Sequence, residues 1–245
     1  MKNLRRVIMV LLYLMIFVSV NKASALVMDV ENGSFETGDF TGWTVVREFD
    51  SGGNWFVYSG SLTPFSNVPI LPPPDGTYAA ITDAEEAGSQ VLYQDLDVPG
   101  GILEATCSVV VYYENRKVFA SPPSLSYLVP SNQQSRIDIM DPNANVFDVG
   151  PGVLLNIFQT NPGDSLLQGY TTIEFDLAEF AGSTVRFRAA NVANIDLFNF
   201  AIDDLKCTEI TAASIPTLSQ WGLIAMAGIL GIVGFMVVRR RKLTA

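Results

Sequence analysis

Short stretches rich in β-branched and aromatic residues recur along the chain between residues 26 and 209, separated by turn residues. Tyr170–Asp176 and Thr184–Arg188 alternate apolar with polar positions, which predicts strands with one buried face. Ala105–Tyr113 is a nearly unbroken β-forming run. Turn signals punctuate the series at Asn32-Gly33, Thr37-Gly38-Asp39, Ser51-Gly52-Gly53, Pro72 to Gly76, Pro99-Gly100-Gly101, Pro142-Asn143 and Asn161 to Asp164. About ten short strands so divided predict an all-β sandwich or barrel. No long helical period interrupts them, and residues 121–134 and 143–152 read as long loops.

Two segments break the pattern, one at each end. Lys2, Arg5 and Arg6 precede an apolar run from Val7 to Val20, and Ala23-Ser24-Ala25 supplies the small residues signal peptidase accepts. Residues 1–25 are therefore expected to be a cleavable signal peptide, an uncleaved anchor being the alternative. Near the other end, Ser219 to Val238 is a run of 20 uncharged residues followed at once by Arg239, Arg240, Arg241 and Lys242. Twenty residues at about 1.5 Å each span a hydrocarbon layer of roughly 30 Å. A single C-terminal transmembrane helix follows, with the cations held on the cytoplasmic face, Trp221 at the opposite interface and everything upstream outside the cytoplasm. Residues 210–214 read as a short tether.

Just before that run stands Ile215-Pro216-Thr217-Leu218-Ser219-Gln220-Trp221-Gly222. Motif, hydrophobic helix and basic cluster in this order, over residues 215–242, resemble the IPTL-CTERM sorting signal of Gram-negative bacteria. The resemblance implies an exosortase, a membrane-embedded protease or transpeptidase, as partner, and passage from an inner-membrane form with a periplasmic ectodomain to the cell surface or extracellular matrix. The local physics agrees: Pro216 lacks an amide hydrogen and biases Ile215 toward extended backbone, so a protease can bind a strand-like segment there. A plain tail anchor that is never cut is the alternative.

Charge sharpens the picture of the exported body. All 25 acids lie between the two ends, with only seven of the 15 basic residues, a net charge of −18 against −10 for the whole chain. Nucleic acid, which rewards clustered Lys and Arg, is disfavoured as a partner, as are anionic lipid surfaces. Cys107 and Cys207 are the two cysteines, and an even count in an oxidising compartment points to a disulfide, two separately buried thiols being the alternative.

Asn32 to Trp43 (NGSFETGDFTGW) resembles the opening strand of galactose-binding-like jelly rolls, the fold of many carbohydrate-binding modules. Asp75 to Ala80, Gly88 to Gln94, Ala181 to Arg188 and Phe200 to Leu205 follow in the expected order. The resemblance implies a jelly-roll β-sandwich over residues 26–209. It also implies a structural calcium near Glu36, Asp75 and Asp203, and calcium takes carboxylate and carbonyl oxygens of the kind offered there. Asp203 and Asp204 cannot both face one site on a regular strand. For sugar contact, rings that can stack on pyranose faces are sought at strand ends and loops, and Trp55, Tyr58 and Tyr112, with Tyr113 and Tyr127, are the candidates. Phe35 and Trp43 are assigned to the core.

Catalysis finds little support. The chain has no histidine, so Ser-His-Asp and Cys-His arrangements are absent, and no phosphate-cradling glycine loop opens a helix. The expectation is a non-catalytic cell-envelope or matrix protein in contact with polysaccharide. The rivals are a glycoside hydrolase or lyase on the same sandwich, which requires a shielded carboxylate facing another across a groove, and a purely structural or adhesive module.

Overall fold

The computed structural model describes residues 25–211 and two isolated glycines, Gly228 and Gly231. The signal peptide, sorting motif and basic cluster therefore lie outside the described residues, as does the predicted span apart from those glycines. Among the described residues, no helix is long and apolar enough to cross a membrane.

Eleven strands are described: β1 (Ala25–Met28), β2 (Thr44–Arg47), β3 (Asn54–Tyr58), β4 (Ala79–Asp83), β5 (Gly88–Asp97), β6 (Ile102–Asn115), β7 (Gln133–Met140), β8 (Val153–Gln159), β9 (Leu167–Asp176), β10 (Thr184–Ala193) and β11 (Phe198–Thr211). They form two antiparallel sheets. One runs β3-β4-β11-β6-β9 with β1 also paired to β11, and the other runs β2-β5-β10-β7-β8. The fold is a two-sheet β-sandwich, as the strand pattern predicts. Its core lies between the sheets, with Phe35, Leu92, Ile137, Ile139, Phe187, Phe200 and Ile202 all fully buried. Trp43 packs at 5.1 Å from Phe35 and edge-on to Phe187 at 5.9 Å, so both predicted core aromatics are where the sequence placed them.

Four local expectations change. Residues 32–43 form turns rather than an opening strand; β1 precedes them. Asn32 and Phe35 take positive φ values of 49° and 57° there, and the Asn32 side chain knits the segment by donating to the carbonyls of Asp39 and Thr41. Gln133 and Gln134, expected in a loop, begin β7. The expected tether starts inside β11, where Ile210 pairs with Ala25 and Thr211 with Ile102. Finally, β10 is buried on both faces, whereas edge strand β9 keeps the predicted alternation. Loops fold back over the outer sheet face and take up the arginines of β10. Arg188, fully buried, donates to Asp138 and to the carbonyls of Val146 and Asp148, while Arg186 grips Asp95 with two hydrogen bonds. A buried guanidinium is tolerable only with such partners.

Cys107 and Cys207 face each other in the register of β6 and β11 and are joined by a disulfide. The bridge closes a separation of 100 residues and ties the last strand to its neighbour in the middle of the sheet.

Candidate functional site

The antiparallel order gives the sandwich two unlike ends. Turns 98–101 and 177–183, the disulfide and both ends of the described chain gather at one, the exit end. Turns 48–53, 84–87, 116–132, 160–166 and 194–197 gather at the other, the loop end.

Trp55, Tyr58 and Tyr112, the predicted sugar platforms, are 1–3 % exposed, and Tyr113 is also buried. Each therefore requires a correction. Trp55 points between the sheets and packs edge-on to Phe200 at 5.9 Å. Tyr58 and Tyr112 lie on the outer face of the first sheet with Ile70, Ala79, Ile81 and Ala201, sealed by the loop 59–78. The Tyr58 hydroxyl donates to the Leu71 carbonyl and is hydrogen-bonded to Tyr170, and Tyr112 donates to Glu114 at 2.9 Å. Burial raises all three phenols, Tyr170 to about 12, so they serve as neutral hydrogen-bonding core residues. The loop itself is pinned by Asp83, whose carboxylate accepts from the backbone N–H groups of Phe65 and Ser66 at 2.7 and 2.8 Å. Strand-end position signals an aromatic in reach of solvent only if no loop folds back, and periodicity carries no information on that.

The ring that does reach solvent was not singled out from the sequence. Phe49 is 93 % exposed in the turn after β2. The backbone around it is held. Tyr127, half-buried, donates its hydroxyl to the carbonyls of Phe49 and Asp50 at 3.2 and 3.1 Å. The Glu48 carboxylate accepts from the Ser126 hydroxyl at 2.6 Å, from Tyr127 N–H and from Ser89. Gly52 meets the 84–87 turn at backbone distance: its N–H donates to the Ala87 carbonyl at 2.9 Å, and a Cβ there would sit 2.7 Å from Glu86 Cβ.

A layer of amides braces these turns from beneath. Gln133 accepts from the N–H groups of Asn194 and Ile195 and donates to Asn115 and to the Asp196 carbonyl. Asn194 in turn accepts from Asn132 N–H and donates to the carbonyls of Tyr127 and Val129, each at 2.7 Å. At the loop end these side chains add to backbone hydrogen bonds such as Gly52 N–H to Ala87 and Arg116 N–H to Leu197 in satisfying the turns.

The predicted calcium residues lie toward the other end. Asp203 is 1 % exposed on β11; its Oδ1 accepts from Asp204 N–H, and its Oδ2 has no partner. Burial, and then the charges of Asp204, Glu36 and Asp75, raise its pKa to about 7. Glu36 Oε1 accepts from Thr77 and Tyr78 N–H groups at 2.9 Å each, which joins the 32–43 turns to the Asp75 turn. Asp204 lies at a bulge with φ of 49° and pairs with Lys206, so here an irregular backbone, not regular strand alternation, sets the two neighbours apart. The orphaned Oδ2 suits a hard cation. Among the described residues, however, no three acidic side chains converge tightly enough to hold a metal, so backbone carbonyls would have to complete the shell.

A C-terminal sorting motif implies an exported, cell-envelope protein that is processed by a sorting protease such as exosortase. The specific evidence is the match of residues 213–242 to the IPTL-CTERM motif. No curated protein matches the chain by sequence. Among solved structures, it is similar to the carbohydrate-binding module TmCBM61 in complex with β-1,4-galactotriose, at 16 % identity over 74 % of this chain and 97 % of that one, with a TM-score of 0.45. It is also similar to the K3 cleaved adhesin domain of Lys-gingipain from Porphyromonas gingivalis W83, at 10 % identity over 76 % and 99 % of the two chains with a TM-score of 0.47. A third similar structure is a Stig cyclase from Fischerella sp. TAU, at 14 % identity over 77 % and 100 % with a TM-score of 0.44. At these values the likenesses concern the sandwich alone and carry no ligand across.

Proposed function

We propose that the protein is a non-catalytic jelly-roll module of the cell envelope or extracellular matrix that contacts polysaccharide at its loop end. On this reading it is held in the inner membrane by its C-terminal helix until an exosortase acts near Ile215–Leu218. The observation that carries the polysaccharide contact is Phe49, a ring almost wholly in water on a turn whose backbone is fixed by Tyr127 and Glu48. A rigid apolar face beside hydrogen-bonding carboxylates is what pyranose recognition asks for.

The non-catalytic reading is supported by the same acids. Asp50, Glu85 and Glu86 at the loop end are exposed, whereas glycoside hydrolysis needs one carboxyl kept protonated by a shielded setting. Asp203, a buried carboxyl whose pKa is raised, lies under the loop 59–78 face rather than beside an open cleft.

For calcium, Asp203 Oδ2 is the proposed anchor, with Glu36 and Asp75 adding negative charge. Bound calcium would offset two of the three carboxylate charges and lock the 32–43 turns to β11, a structural role.

The test is affinity electrophoresis of the full chain in detergent through gels containing neutral polysaccharides. Retardation that Phe49→Ala abolishes supports the reading; migration unchanged by every polysaccharide favours the structural module. Terbium luminescence sensitised by the Tyr58–Tyr170 pair, lost in Asp203→Asn, checks the cation site independently.

A further inference from the structure

Three shallow depressions open side by side on the loop end, with volumes of about 470, 260 and 220 Å³. The first is lined by Arg47, Glu48, Phe49, Asp50, Gly52 and Glu86. The second shares Gly52 and Glu86 with it and adds Glu85 and Phe65. The third shares Glu85 and Glu86 and runs on to Asn194–Phe198. Gly52, shared by the first two, Glu85, shared by the last two, and Glu86, common to all three, make them adjoin as a shallow trough.

Each part of the trough has its own device. Phe49 stands at one end. At the centre Phe65, 52 % exposed, lies with its ring parallel to Phe56, 7° between planes and 6.3 Å between centroids, so the loop 59–78 delivers a second supported ring. At the far end the backbone of 194–197 is held by Gln133 and Asn194. The charge along the floor is one-sided. Asp50, Glu85 and Glu86 are exposed carboxylates that outnumber the cation lining the depressions, Arg47, which gives one N–H to the Gly53 carbonyl at 3.1 Å; Lys117 pairs with Asp196 at 3.2 Å, and Arg116 also acts on Asp196.

We infer that this trough binds an internal stretch of a neutral polysaccharide, several sugar units at a time, with rings seated on Phe49 and Phe65 and hydroxyls donating to Glu85 and Glu86. The inference rests on the function proposed above and specifies its ligand. Openness at both ends favours mid-chain segments over a chain terminus, which a closed pocket would hold. Carboxylates accept hydrogen bonds from vicinal hydroxyls, and by like-charge repulsion they reject uronic and sulfated chains. A basic peptide is the other occupant an acidic trough admits. It is disfavoured because its affinity would come from exposed charges that salt screens, leaving the two fixed rings without a role.

The experiment is calorimetric titration of the full chain in detergent with glucose and galactose oligomers of one to six β-linked units, with polygalacturonate, and with oligolysine, at low and high salt. The expected result is affinity for one neutral series that rises at least tenfold from monomer to tetramer, is insensitive to salt, and is absent for polygalacturonate. Phe49→Ala and Phe65→Ala should each lower tetramer affinity at least tenfold with unchanged melting temperature, and Glu86→Gln should lower it severalfold. Neutral binding that depends on Phe49 but not on length or Phe65 would overturn the trough while leaving the proposed function standing. Absence of any neutral binding, or binding confined to oligolysine with steep salt dependence, would overturn both.

Discussion

The two ends of this sandwich solve the same problem with different chemistry. At the exit end the two ends of the described body are tied by backbone: Ala25 pairs with Ile210, Met28 with Cys207, and the disulfide fixes Cys207 to Cys107 across the ladder. At the loop end no strand covers the turns, and Gln133, Asn194, Glu48 and Tyr127 hold them by side-chain hydrogen bonds. On the proposed reading, ladder and covalent bonds suit the end from which the chain would run to a membrane anchor, since pull on Thr211 meets Cys207 after four residues. Side-chain bracing suits the end that must present surface, since it leaves rings and carboxylates facing water. Strand β11, 14 residues or roughly 45 Å long, separates the two.

The contrast can be broken most severely at the disulfide. Replacing Cys107 and Cys207 together with alanine should cost ~4.7 kcal/mol, the chain-entropy value for a loop of this length, read by denaturant unfolding of the oxidised protein against the variant. Glycan affinity, set at the other end, should change little under conditions where the variant is folded.

The converse cut is Asn194→Ala. It orphans the Asn132 N–H and the carbonyls of Tyr127 and Val129, an expected loss of ~2–3 kcal/mol. Amide exchange should accelerate across 126–132 and 48–53 but not in β1 or the lower half of β11.

A smaller effect, with a definite sign, comes from Asp203. Its folded pKa of about 7 lies above the ordinary carboxylate value, so the folded state binds the proton more tightly than the unfolded one. Stability is then fullest below the unfolded pKa near 3.9 and is lost as pH rises through about 7. In chelator the melting temperature should fall between about pH 5 and about pH 8; calcium should reverse the fall, and Asp203→Asn should flatten the profile in chelator. The smallest effect on stability is Phe49→Ala, within about 0.5 kcal/mol because the ring touches little, although its effect on polysaccharide retardation should be the largest of the four.

Much of the fold was legible because its signals are local. Strand segments, turns at Gly and Pro, the cysteine pair and the core role of Phe35 and Trp43 all follow from residue type and spacing. Most of the differences share one cause. Tyr58 and Tyr112 are expected as surface rings and the arginines of β10 on a solvent face, yet the loop 59–78 covers one outer sheet face and residues 121–131 and 141–152 fold against the other; Trp55 differs, since it points between the sheets. Phe49 was missed for the mirror reason: a phenylalanine between charged neighbours gives no sign of whether a tertiary partner awaits it.

The sequence alone carries the sorting motif matched over residues 213–242, since an uncharged run, a proline-bearing tetrapeptide and four cations are features of contiguous positions. It also determined that the body is built of strands, because side-chain alternation is a property of neighbours. Only the tertiary structure decided which rings see water, which carboxylate is left without a partner, and which turns share an end. Those depend on contacts across tens of residues, Glu36 with Tyr78 or Glu48 with Tyr127, that no local pattern encodes.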